Sequence, residues 1–255
     1  MIAAALTILL LAPQLVDRTK QPAVPPPAAE NLSHEKRADI FMARKMYREA
    51  VETYRLALAE QPKIPQLHNK IGIAYHHQML FDDARKSYER AVKLDKTFAQ
   101  ARNNLGTIFY AAKRYKKAAS TYKKALEFAP QSASIHSNLG MAHFARRKYK
   151  DASKEFIVAL QLDPYVFETR SSVGTLLQER SIEDRAKYHY YLAKTYAAVQ
   201  MYDRALLYLR KALEEGFKDR KRIPTEPEFE VLLENAEFQR IVFPEQTAAE
   251  LRPVQ

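Results

Sequence analysis

Cysteine is absent from this sequence and glycine is scarce, with five residues in a chain of 255. Without cysteine there is no disulfide, no thiolate metal site, no cysteine nucleophile and no lipid-modified cysteine anchor. The redox compartment stays open on this ground, because exported proteins can also lack the residue. Runs that alternate between apolar and polar residues are missing as well. With so little glycine, this points to an all-α chain. The signatures HExxH, GxxxxGK(S/T) and GxSxG do not occur, so the sequence reads as non-catalytic, with no cofactor and no metal.

No apolar run reaches the roughly 20 residues that a bilayer-spanning helix needs. The run "IAAALTILLLA", residues 2–12, has the length of the apolar core of a secretory signal. No lysine or arginine precedes it, and "PPAAE" at Pro26–Glu30 is the best cleavage site that follows. Residues 1–17 are expected to be a signal peptide or an apolar anchor, and the Pro-rich residues 18–30 a linker. The protein would then be exported, periplasmic or envelope-tethered, with membrane or cell-envelope association through this N-terminal segment.

Hydrophobic residues make up 47% of the chain, enough for a sizeable core, and the formal net charge is +11 with a pI of about 9.6. That charge raises nucleic acid or an anionic surface as partners.

The few glycines are spaced evenly. Gly72, Gly106, Gly140 and Gly174 lie 34 residues apart. Ala50, Ala84, Ala118, Ala152 and Ala186 share the step, as do Tyr54, Tyr88, Tyr122, Phe156 and Tyr190. Ala57, Ala91, Ala125, Ala159 and Ala193 follow it too. A fixed period of this size marks a stacked repeat. A glycine inside a helix costs about 1 kcal/mol relative to alanine, so each must be needed for close approach of two helices.

At Leu105, Gly106, Phe109, Ala118, Tyr122, Ala125 and Pro130 the chain resembles the tetratricopeptide repeat family, departing at Arg102 where that family has an aromatic. The resemblance covers roughly residues 31–219. It implies a right-handed α-solenoid of helix–turn–helix units: 31–64, 65–98, 99–132, 133–166, an irregular 167–185, and 186–219. In the irregular stretch one helix fits both the second-helix and the first-helix pattern. Three helices are expected there, at about 165–180, 182–199 and 202–215, and the alternation of inner and outer helices should slip. Residues 220–247 should form a C-terminal helical cap of two short helices, Glu228–Glu234 and Ala236–Val242, followed by a tail at 248–255. A solenoid has an apolar end that needs such a cover.

The resemblance also implies a concave face, lined by first helices, that binds a peptide or protein. The residues expected there are Asn69, Lys70, His76 and His77; Asn103, Asn104, Thr107 and Tyr110; Asn138, Met141 and Phe144; and Lys187, Tyr191 and Lys194. The repeated "NLG" at Asn104–Gly106 and Asn138–Gly140 resembles the asparagine ladder of other members. An amide offers both donor and acceptor to a peptide backbone. The lysine, arginine and asparagine set with which some members hold a terminal carboxylate is not found. His34, His68, His136, His189 and His143 fall on aromatic slots and read as packing residues. His76 and His77 are neighbours that point about 100° apart on a helix and seldom chelate together. The basic runs "KRYKK" and "RRKYK" fall on turns and second helices, on the convex side. The first reading is therefore a protein-binding scaffold. The alternatives are association of the basic convex face with an anionic envelope component and, less favoured, a nucleic-acid-binding solenoid.

Overall fold

The computed structural model describes residues 32–168 and 181–244. Among the described residues, ten helices run in antiparallel pairs: α1 (His34–Ala43) with α2 (Tyr47–Glu60), α3 (Pro65–His77) with α4 (Phe81–Leu94), α5 (Ala99–Ala111) with α6 (Tyr115–Leu126), α7 (Ala133–Ala145) with α8 (Tyr149–Leu162), and α9 (Ile182–Ala198) with α10 (Tyr202–Glu214). Each pair stacks on the next, so the molecule is a solenoid with no strand among the described residues.

The glycines explain the pairing. A Cβ built on Gly72 would stand 2.5 Å from the Tyr88 ring, one on Gly106 2.5 Å from Tyr122, and one on Gly140 2.4 Å from Phe156. Each aromatic is at most 1% exposed and lies across the glycine of its own unit. The bare backbone is what lets the ring in. Burial of the ring, at about 25 cal/mol per Å² of apolar area, offsets the helix penalty. Ala38 and Ala193 occupy the same seat in the first and last pairs, opposite Tyr54 and Leu209; all four are at most 1% exposed.

The turns inside the pairs reverse the usual role of glycine. Lys45, Met79, Lys113, Arg147 and Gln200 all have φ near +60°. Each is followed by a residue whose N–H reaches back five residues: Met46 to Phe41, Leu80 to Tyr75, Arg114 to Phe109, Lys148 to His143 and Met201 to Tyr196, at 2.8–3.0 Å. This is the left-handed helix ending that glycine normally supplies. Here long side chains hold it in every unit.

Ser181 caps α9 by accepting from the Asp184 N–H at 3.1 Å, with Glu183 and Asp184 in the first turn. The sequence predicts this helix and α10 well. Residues 165–168 form a turn, and the rest of the helix expected at 165–180 lies outside the described residues. α9 packs on α8 and pairs with α10, which is the position of a first helix, so the described helices keep their alternation. The same spacing of His189 to Glu215 as of His34 to Glu60 supports that assignment, both pairs meeting at 2.6 Å.

The C-terminal segment closes the apolar end of α9 and α10. It consists of two 3-10 helices, Arg220–Thr225 and Pro227–Leu232, and α11 (Ala236–Val242). The short helix expected at Glu228–Glu234 is a 3-10 helix that runs from Pro227 to Leu232. Pro224 and Pro227 lack the N–H groups that a continuous α-helix would need. Ile223, Phe229, Leu232, Phe238 and Val242 are at most 3% exposed and belong to the core that runs through the solenoid.

Candidate peptide-binding face

First helices α3, α5 and α7 bring the repeated amides side by side. The Asn104 Nδ2 donates to Asn69 Oδ1 at 3.0 Å, and the Asn138 Nδ2 donates to Asn103 Oδ1 at 3.0 Å. The asparagines therefore form a ladder, but its rungs join one unit to the next. Asn69 and Asn138 are buried, while Asn103 and Asn104 are half-buried. The Ser137 hydroxyl, in the slot of Asn69 and Asn103, is buried and meets no hydrogen-bond partner among the described residues.

The lysines expected on this face differ in their surroundings. Lys70 bonds Glu35 and Asp39 of α1 at 2.8 Å each, and Asp39 also accepts from Tyr54. Partial burial would lower the Lys70 ammonium, but the bonds to Asp39 and Glu35 outweigh it and raise its pKa. Lys194 pairs with Glu226 and, at 3.3 Å, with Glu228 of the C-terminal cover. Lys187 is half-buried and meets no carboxylate among the described residues.

Thr107 is 5% exposed and accepts from the Tyr122 hydroxyl at 3.2 Å. Tyr110 is 4% exposed and meets Tyr115 edge-on. Met141 and Phe144 are also buried, and Tyr188 and Tyr191 of α9 pack against Phe144. Tyr191 itself stacks on Tyr149 with centroids 4.6 Å apart. A ligand would meet α7 only after displacing these rings. Farther along the face, His77 stacks on Tyr47 at 4.7 Å and stays exposed, whereas His76 turns its ring to Phe81. Burial, with a smaller contribution from the charge of His77, holds His76 below the usual imidazole value. Gln66 and Gln100 are exposed. The face is thus accessible at Gln66 and His77 of α3 and at Gln100, Asn103 and Asn104 of α5, and closed at Thr107, at Tyr110 and over α7 from Ser137 onward.

Three histidines that read as packing residues also carry hydrogen bonds. His34 meets Glu60 and His189 meets Glu215, each at 2.6 Å, and His136 meets Glu155 at 2.7 Å and the Pro130 carbonyl at 3.0 Å. Each ties a first helix to the second helix of its unit. The repeated spacing of the first two pairs was the signal in the sequence. His143 is buried, its Nδ1 meets no hydrogen-bond partner among the described residues, and burial lowers its pKa. No group of three or more potential metal ligands occurs among the described residues, and no described helix is long and apolar enough to cross a membrane.

Fold and face together define a helical-repeat protein. Residues 35–95 and 80–133 match the model of the tetratricopeptide repeat family, and the architecture is that of a tetratricopeptide solenoid. Among solved structures, MamA from Desulfovibrio magneticus RS-1 is similar at 18% identity, covering 73% of this chain and 94% of that one, with a TM-score of 0.51. TTC0263, a thermophilic tetratricopeptide protein of Thermus thermophilus, is similar at 19% identity, with 78% and 97% covered and a TM-score of 0.50. At these identities the likeness is one of fold. No curated protein matches the chain.

Proposed function

We propose that this protein is a non-catalytic scaffold that binds an extended polypeptide on the first-helix face of α3 and α5. The observation that carries the reading is the accessible polar row there: Gln66 and His77 on α3, and Gln100, Asn103 and Asn104 on α5. The ladder leaves the Asn104 carbonyl oxygen and one amide hydrogen of each donor uncommitted, so the amides can still meet a main chain. Of the residues expected on this face, His77, Asn103 and Asn104 are the ones that a ligand would reach first, with Lys187 and Tyr191 at the far end.

A photo-crosslinking residue placed at Gln100 tests this. It should capture a polypeptide partner, and the same residue at the exposed Lys86, on α4, should not. Capture from Lys86 alone would move binding to the opposite face. Nucleic acid as the captured species, lost steeply with salt, would replace the peptide reading. The scaffold is also proposed to work outside the cytoplasm, directed or tethered by residues 2–12. The N-terminal sequence of protein recovered from each cell fraction tests that part.

A further inference from the structure

The positive charge is concentrated in one unit. Residues 99–132 carry seven lysines and arginines against a single carboxylate, Glu127. A cleft of about 590 Å³ opens there, walled by five cations (Lys113, Arg114, Lys116, Lys117 and Arg146) around Tyr115. No carboxylate lines it, and none of the five makes an ion pair among the described residues. Lys117 and Arg114 are held in place over the buried Phe109 ring, at 4.1 and 5.6 Å from its centroid. The walls between the charges are aliphatic stems, a surface that suits an apolar group flanked by anions.

The C-terminal cover has the opposite character. Residues 226–237 hold five glutamates and no lysine or arginine. Glu226, Glu228 and Glu237 are tied down by Lys194 and Arg210. Glu230 and Glu234 are exposed and meet no cation among the described residues. Between them Val231 is 70% exposed, the highest value of any large apolar side chain described. The burial of Phe229 and Leu232 in the 3-10 helix forces this outward display.

We infer that the cleft at Lys113–Lys117 receives the Glu230–Val231–Glu234 knob of a second copy of this chain. Two carboxylates straddling a valine match cations set around aliphatic walls, in both charge and apolarity. Nucleic acid or free phosphate would satisfy the cations but leave Val231 in water. Both surfaces are fixed on folded elements, so little ordering is needed on contact. The two patches are different, so the contact either closes reciprocally in a two-fold dimer or is heterologous. In the heterologous case a copy whose cleft is filled still presents its own knob, and assembly continues head to tail.

Sedimentation of the full chain at low salt tests this, with circular dichroism as the check on folding. The chain should associate with rising concentration and dissociate as salt screens the contact. Reversing the cleft (Lys116→Glu with Lys117→Glu) or the knob (Glu230→Lys with Glu234→Lys) should each weaken association at least tenfold. An equimolar mixture of the two variants should associate again, since each knob then finds a complementary cleft. A monomeric wild-type chain would overturn the proposal, including one whose cleft takes up inorganic phosphate or an oligonucleotide instead. So would variants that associate like wild type, or a mixture that stays monomeric.

Discussion

Gly106 lies beneath the edge of Tyr122, so close that a methyl group on the glycine would sit 2.5 Å from the ring. The last pair solves the same seat with Ala193 and Leu209. Gly106→Ala should therefore destabilise the solenoid. Overpacking of about 1–3 kcal/mol exceeds the roughly 1 kcal/mol regained in helix propensity. Gly106→Leu should do so by several degrees more. Adding Tyr122→Leu to Gly106→Ala recreates the alanine–leucine pairing. The double variant should melt higher than the sum of the two single losses allows. Additive melting temperatures would show that the two side chains do not share the space.

The left-handed turns yield a prediction of opposite sign. Lys113 has φ 57° and Arg147 has φ 60°, a region that costs a side-chain-bearing residue about 1–2 kcal/mol. Lys113→Gly should relieve most of that and raise the melting temperature by a few degrees, at about 2–4 °C per kcal/mol for a chain of this size. Gly216, with φ 87° and nothing within 4 Å of a built Cβ, is the control. Gly216→Ala should lower stability through the backbone alone. Thermal melts of the two variants should move in opposite directions.

The stacking was legible because each unit repeats the same steric requirement, so Gly72, Gly106 and Gly140 mark it three times. The helix starting at Ile182 was legible because its residues fit both the first-helix and the second-helix pattern of the repeat. What the sequence did not disclose was lateral. Nothing local to Asn104 says that its amide is met by Asn69, 35 residues earlier. That depends on the sideways register of α3 and α5. The closing of α7 by Tyr188 and Tyr191 likewise depends on α9 packing directly on α8, across an insertion whose length alone does not fix the docking. The 3-10 form of Pro227–Leu232 was hinted at by its proline, but an α-helical pattern of apolar residues fits the same segment.

The asparagine ladder gives the amides a measurable structural role. Asn104→Ala with Asn138→Ala removes both inter-unit bonds and leaves Asn69, which is 4% exposed, without its donor. Each lost bond is worth about 0.5–1.5 kcal/mol. The double variant should melt several degrees lower even without a ligand. If these residues also touch a bound peptide, its affinity should fall measurably at a temperature where the variant is fully folded. An unchanged melting temperature would mean that the two amide bonds add nothing net.

Glu226 makes the C-terminal cover sensitive to acid. Only 8% exposed, it accepts from the Tyr190 hydroxyl at 2.8 Å and pairs with Lys194 and Arg222. Burial would raise the carboxyl, but the bonds from Lys194 and Tyr190 and the charges of Lys194 and Arg222 outweigh it and hold its pKa below the ordinary value. A carboxyl depressed on folding contributes its full stabilisation above the unfolded pKa, about 4.3 for glutamate. That contribution is lost as pH falls through the lower folded value. The cover should therefore loosen below about pH 4, seen as faster amide exchange at Phe229 and Phe238. In Glu226→Gln the exchange should already be fast at neutral pH, because Lys194 is left without its main counter-charge, and this carboxyl's share of the acid dependence should vanish. Equal acid dependence in both proteins would place the titrating group elsewhere.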